Sequence, residues 1–136
     1  MDLEARDVIG SLRYVRSRPD TRALQIGLLS RCLGANATFA AMRQFPEAFA
    51  EVRGLVAVQP LTPRVILEHQ LALAGVPEQR IDDGLMADLS RRILLTTSIG
   101  LPRRAPVEWA RNVTVPIFFI QVHDDVLTDP GDVRAM

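Results

Sequence analysis

The sequence predicts an α/β domain: a parallel sheet of about three strands with flanking helices and a helical insertion. Three observations predict it. Helical and strand-like segments alternate along the chain. The strand-like segments are short and mostly apolar, as strands buried in a parallel sheet are. About fifty residues of mostly helical sequence separate the second strand from the third, too many for one crossover.

Taken in order, residues 3–17 place Val8, Ile9, Leu12 and Val15 along one helical stripe, and Arg18-Pro19-Asp20 ends it. A first strand is expected over residues 23–29. Ser30-Arg31-Cys32-Leu33-Gly34 then turns the chain into an alanine-rich helix over 34–44, where Phe39 and Met42 supply bulk for packing. A second strand over 52–59 is stopped by Pro60. From 63 to about 112 the pattern is helical, with breaks at Gly75-Val76-Pro77, Gly100-Leu101-Pro102 and Pro106. Asp82 or Asp83 can cap the helix that carries Leu85, Leu89 and Ile93, and Pro106 suits a first helical residue. A third strand is expected over 115–122. His123-Asp124-Asp125 lies at its carboxyl end, and Asp129-Pro130-Gly131-Asp132-Val133 opens a last helix. Residues 1–136 thus form one domain, with 63–112 as a helical cap over the carboxyl end of the sheet, where ligands bind in open α/β folds.

Composition narrows the function classes. Sixteen basic residues balance sixteen acidic ones and aromatics make up only 5%, so neither nucleic acid nor an anionic membrane is an expected partner. The one cysteine excludes an internal disulfide and any zinc site built from several cysteines. No apolar stretch approaches the ~20 residues of a membrane span, and the start, MDLEARDVIG, lacks the apolar run of a signal peptide. Cytoplasmic location is the resulting expectation.

Leu28-Leu29-Ser30-Arg31-Cys32-Leu33-Gly34-Ala35 resembles the nucleophile elbow of the α/β-hydrolase superfamily, small-x-nucleophile-x-small between a strand and a helix. With cysteine at its centre it is most similar to the dienelactone hydrolase branch. In such a turn the nucleophile stands proud of the sheet, and small residues two before and two after it, here Ser30 and Gly34, let strand and helix approach. Ser30 departs from the commoner glycine. A thiol at a helix N-terminus feels the positive end of the helix dipole, which favours thiolate. The Leu33 amide, just after the nucleophile, would donate to an oxyanion. The segment from Val115 to Thr128 looks like the family's acid-bearing strand and loop, which makes Asp125 the best match to the triad acid and Asp124 its rival.

The resemblance covers nearly all of this chain but only about half of a family member. The family's histidine, which follows one more strand, has no counterpart here; His69 falls in the expected cap and His123 on the acid's own strand. What the resemblance implies is a partial domain, either a piece of a longer chain or a degenerate remnant. The expected function is hydrolysis of an ester, lactone or thioester, a small-molecule acyl substrate, through a Cys32 acyl-enzyme and with no cofactor. The alternative is a non-catalytic scaffold remnant or interaction module, with an exposed sheet edge favouring homo-oligomers. Plainer roles stand beside these. Asp124, Asp125 or Asp129 can cap a helix, His123 can pair with a carbonyl or water, and Trp109 with Phe118-Phe119 can fill core. Glu78 and Asp82-Asp83 suit a solvated turn better than a metal.

Overall fold

The computed structural model describes residues 2–97, 105–125 and 130–136. Helix α1 (Asp2–Ser17) leads through a turn into strand β1 (Ile26–Arg31), which passes into helix α2 (Leu33–Gln44). A 3-10 turn (Pro46–Phe49) precedes strand β2 (Val52–Val58). Helices α3 (Pro63–Leu73) and α4 (Asp83–Thr97) follow, then α5 (Ala105–Ala110), strand β3 (Ile117–Ile120) and α6 (Pro130–Arg134). The three strands are parallel in the order β1-β2-β3, an α/β arrangement with flanking helices as the alternation of segments predicts.

Packing follows the periodicities. Along α1, Ala5, Ile9 and Leu12 form the buried stripe, at spacings that place them on one face. That face lies on α2, which is buried without interruption from Ala35 to Met42. Its alanines explain how. Small side chains let one helix sit between α1, α5 and the sheet at once, and Phe39, fully buried, fills the centre. Burying such a ring contributes roughly 2–3 kcal/mol. Phe119 of β3 packs obliquely on it, with ring centroids 6.2 Å apart.

The inner sheet face presents Ile26, Leu28, Leu55, Ala57, Ile117 and Phe119 to this core. The outer face has no such cover among the described residues. Leu29, Val56 and Phe118 lie side by side in register across all three strands, with Leu29 76% and Phe118 66% exposed. Core placement was expected for both members of the Phe118-Phe119 pair. It holds for Phe119 alone, because adjacent strand residues point to opposite faces.

The first strand also differs from expectation. It begins at Ile26 and runs through Ser30 and Arg31, since Cys32 N–H continues the ladder by donating to Val58 O at 2.8 Å. Ala23 to Gln25 instead belong to the preceding turn. There the Arg16 guanidinium donates to the carbonyls of Arg22 (2.7 Å) and Leu24 (2.9 Å). The third strand is four residues long rather than eight.

The stretch between β2 and β3 is of two kinds. Helices α3 and α4 contribute nothing to the buried core cluster, and Met86 is the one buried residue on either. Arg64 links them, pairing with Glu68 (2.6 Å) and reaching Asp83 (2.7 Å), contacts that hold its guanidinium more firmly charged. Asp82 caps α4 by accepting from Leu85 N–H at 2.8 Å. Helix α5 lies against α2, with Pro106 and Ala110 buried and Trp109 packed on the core. The expected Gly100-Leu101-Pro102 break lies outside the described residues.

Candidate functional site at the carboxyl ends of the strands

Parallel strands deliver their carboxyl ends to one edge of the sheet, and there the chain brings its chemistry-bearing residues. Cys32 follows β1, Gln59 follows β2, and Asp125 lies five residues past β3. The strand ends are tied to one another. Cys32 N–H donates to Val58 O (2.8 Å), and Gln59 N–H donates to Ile120 O (2.7 Å).

Cys32 is the whole turn between strand and helix. Its backbone adopts φ 55° and ψ −128°, a conformation that a residue with a side chain adopts only at a cost of order 1–3 kcal/mol. Its carbonyl accepts from Ala35 N–H (3.0 Å) and Asn36 N–H (3.4 Å), so α2 starts at once. The thiol is exposed. Leu33 and Gly34, the first two residues of the helix, have amides beyond the reach of any intrahelical acceptor, as at every helix start.

The two small residues play different parts. Ser30 faces α2, with its Oγ 2.8 Å from Thr38 Oγ1. Thr38 Oγ1 donates to Gly34 O at 2.9 Å, so Ser30 must supply the hydrogen of the shared bond. A short hydroxyl is what lets strand and helix close here. Gly34 is otherwise. A Cβ built on it meets nothing within 4 Å, so close approach does not require glycine at that position, contrary to the expectation.

Two residues that sequence reasoning passed over complete the edge. Asn36 is fully buried; its Nδ2 donates to Leu61 O (2.5 Å) and its Oδ1 accepts from Leu61 N–H (3.3 Å). It fastens the first turns of α2 to the buried Pro60-Leu61-Thr62 segment leaving β2. Gln59 has φ 47°, the other non-glycine residue of positive φ among those described. Its Nε2 donates to Asp125 Oδ2 at 2.5 Å. A polar side chain among buried alanines is the signal that could have found Asn36; nothing in the sequence marks Gln59.

The neighbouring acid is placed differently. Asp125 is half-buried and bonded to Gln59, while Asp124 points into solvent and pairs with His123 Nδ1 at 2.7 Å, both side chains more than 90% exposed. His69 lies half-buried on α3. Val126, Leu127, Thr128 and Asp129, which complete the expected acid loop, lie outside the described residues. One hollow of about 370 Å³ sits by Ile26 and Val52, where β1 and β2 begin; another, of about 460 Å³, lies on the outer sheet face by Val56 and Phe118. Neither is lined by Cys32, Gln59 or Asp125.

Among the described residues no group of three or more His, Cys, Asp or Glu is placed to hold a metal ion, and no helix is long and apolar enough to cross a membrane. Comparison of the chain with protein-family models, with curated proteins and with solved structures finds no match.

Proposed function

We propose that this chain carries the nucleophile and the acid of a cysteine-dependent hydrolase of the α/β-hydrolase type, similar to dienelactone hydrolases and acting in the cytoplasm on an ester, lactone or thioester. One observation carries the reading. Cys32 holds an exposed thiol on a left-handed backbone between the edge strand β1 and the buried helix α2, and strain of that kind marks functional turns.

The chemistry runs as acyl transfer. Cys32 Sγ attacks the acyl carbon as its proton passes to an imidazole, and the Leu33 amide receives the developing oxyanion. The carbon–oxygen (or carbon–sulfur) bond to the leaving group breaks, and that group departs with the proton from the imidazolium. Water then attacks the Cys32 thioester, releasing the acid and restoring the thiol. Asp125 orients the imidazole, and the proposal assigns that histidine to a position outside this sequence.

The test is covalent labelling of the natural gene product with an activated acyl ester. The expected result is a mass increase of one acyl group on Cys32, with labelling and hydrolysis both lost in a folded Cys32→Ala variant. Unchanged turnover in that variant overturns the reading. A second reading, a non-catalytic scaffold or interaction module, draws on the uncovered Leu29-Val56-Phe118 stripe. It gains if the wild-type protein is neither acylated nor active while Phe118→Lys lowers its self-association in sedimentation.

A further inference from the structure

The Gln59–Asp125 bond couples the end of β2, which the hydrolase reading leaves without a role, to the acid that follows β3, and three features of it do not follow from turn closure alone. Gln59 stands where backbone geometry favours glycine, yet it keeps a long side chain at φ 47°. That backbone places it next to Cys32: Arg31 and Val58 are register partners, so the two left-handed residues come immediately after paired positions on adjacent strands. Both its main chain and its side chain then reach the third strand's end. The backbone amide donates to Ile120 O at 2.7 Å, and Nε2 donates to Asp125 Oδ2 at 2.5 Å, across 66 positions of sequence.

The choice of group also matters. An amide donates to a carboxylate oxygen without carrying charge. A lysine or arginine at this place would neutralise the carboxylate and weaken its hold on an imidazolium; a glutamate would repel it. An amide fixes the direction of the carboxylate and brings no charge of its own to it.

We propose that Gln59 is a positioning residue, which sets the direction of the Asp125 carboxylate at the carboxyl edge of the sheet that also carries Cys32. The role rests on the hydrolase reading above. It acts through Asp125 and touches no reacting atom.

The test compares wild type, Gln59→Gly and Gln59→Glu in the natural gene product, with a p-nitrophenyl ester as substrate. Gln59→Gly relieves the left-handed backbone while removing the amide; Gln59→Glu keeps size and shape while reversing the interaction. The expected result is a fall in kcat of about tenfold in both, the scale of one hydrogen bond to a charged group, with KM within about twofold. The thermal midpoint of Gln59→Gly is expected to be equal to wild type or higher. In 15N spectra the Gln59 side-chain amide signals should also move in Asp125→Ala. Wild-type kcat in both variants overturns the positioning role and leaves the hydrolase reading standing. A loss of kcat that only follows a loss of thermal stability also overturns it, making Gln59 a turn-closing residue. Absence of any acylation or turnover in wild type removes the hydrolase reading and this role together.

Discussion

Replacing Asn36 by alanine should cost more stability than any other polar substitution in α2. The side chain is fully buried and serves both backbone polar groups of one residue, donating to Leu61 O and accepting from Leu61 N–H. Leu61 is itself buried, 6% exposed, so truncation strands a carbonyl and an amide away from water. Each orphaned group costs about 1–3 kcal/mol. Allowing partial relaxation, we expect a total near 3 kcal/mol, against the roughly 5–15 kcal/mol of a typical domain. In urea, with a slope of about 2 kcal/mol/M, the midpoint should fall by about 1.5 M. The thermal midpoint should drop by about 10 °C. Asn36→Asp sharpens the test, because the donating nitrogen becomes a carboxylate oxygen facing Leu61 O. Only the protonated acid can donate there, so folding raises the pKa of the introduced carboxyl. The stability of that variant is then fully present below about pH 4, its unfolded value, and is lost as pH rises through the higher folded value. A midpoint within about 0.3 M of wild type for Asn36→Ala, with no such pH dependence in Asn36→Asp, would refute the buried pairing.

Three further outcomes follow from the fold. Phe119→Ala should lose about 2–3 kcal/mol in chemical denaturation, since its partly buried ring packs on Phe39, whereas Phe118→Ala should change stability by less than about 1 kcal/mol. Gly34→Ala should be neutral or stabilise by up to about 0.5–1 kcal/mol by thermal melting, because the space above Gly34 is open and alanine favours helix. Asp20, held below its ordinary carboxylate value of 3.8 by Arg18, and Asp88, held below it by Arg91 and then Arg92, stabilise the fold above about pH 4. That contribution is lost as pH falls through their lowered folded values. Both sites are solvent-exposed, so added salt should reduce it in an acid titration.

The architecture was legible where side-chain periodicity reports directly on burial. The Ile9-Leu12 stripe and the apolar β2 segment could be read residue by residue, and the cap of α4 narrowed to Asp82 or Asp83, of which the structure uses Asp82. Ser30 and Arg31 look like turn residues in the sequence, yet they are the last two residues of the first strand. What extends the strand is a backbone bond to Val58, which no side chain advertises. Cys32 stands out through its neighbours, yet only one of them marks a close approach: strand and helix meet closely at Ser30, through Thr38, while the space above Gly34 is open. Asn36 and Gln59 escaped notice for a shared reason. Their partners lie 25 and 66 positions away, and an isolated amide side chain carries no periodic signature. The positive φ of Gln59 was hidden as well, since glycine or asparagine is the usual mark of such backbone.

The segment Ile117-Phe118-Phe119-Ile120 reads identically in both directions. Slipping it by one position would exchange Ile117 and Phe119 for Phe118 and Ile120 on the inner side, with no loss of greasiness. Hydrophobic patterning, the ordinary lock on strand alignment, is therefore blind at this strand. Alignment falls instead to two main-chain clasps, Leu55 N–H on Pro116 O at one extremity and Gln59 N–H on Ile120 O at the other. Since Asp125 hangs from that second clasp, a one-residue slip would carry the carboxylate about 3.3 Å along the sheet, out of step with the sulfur two strands away.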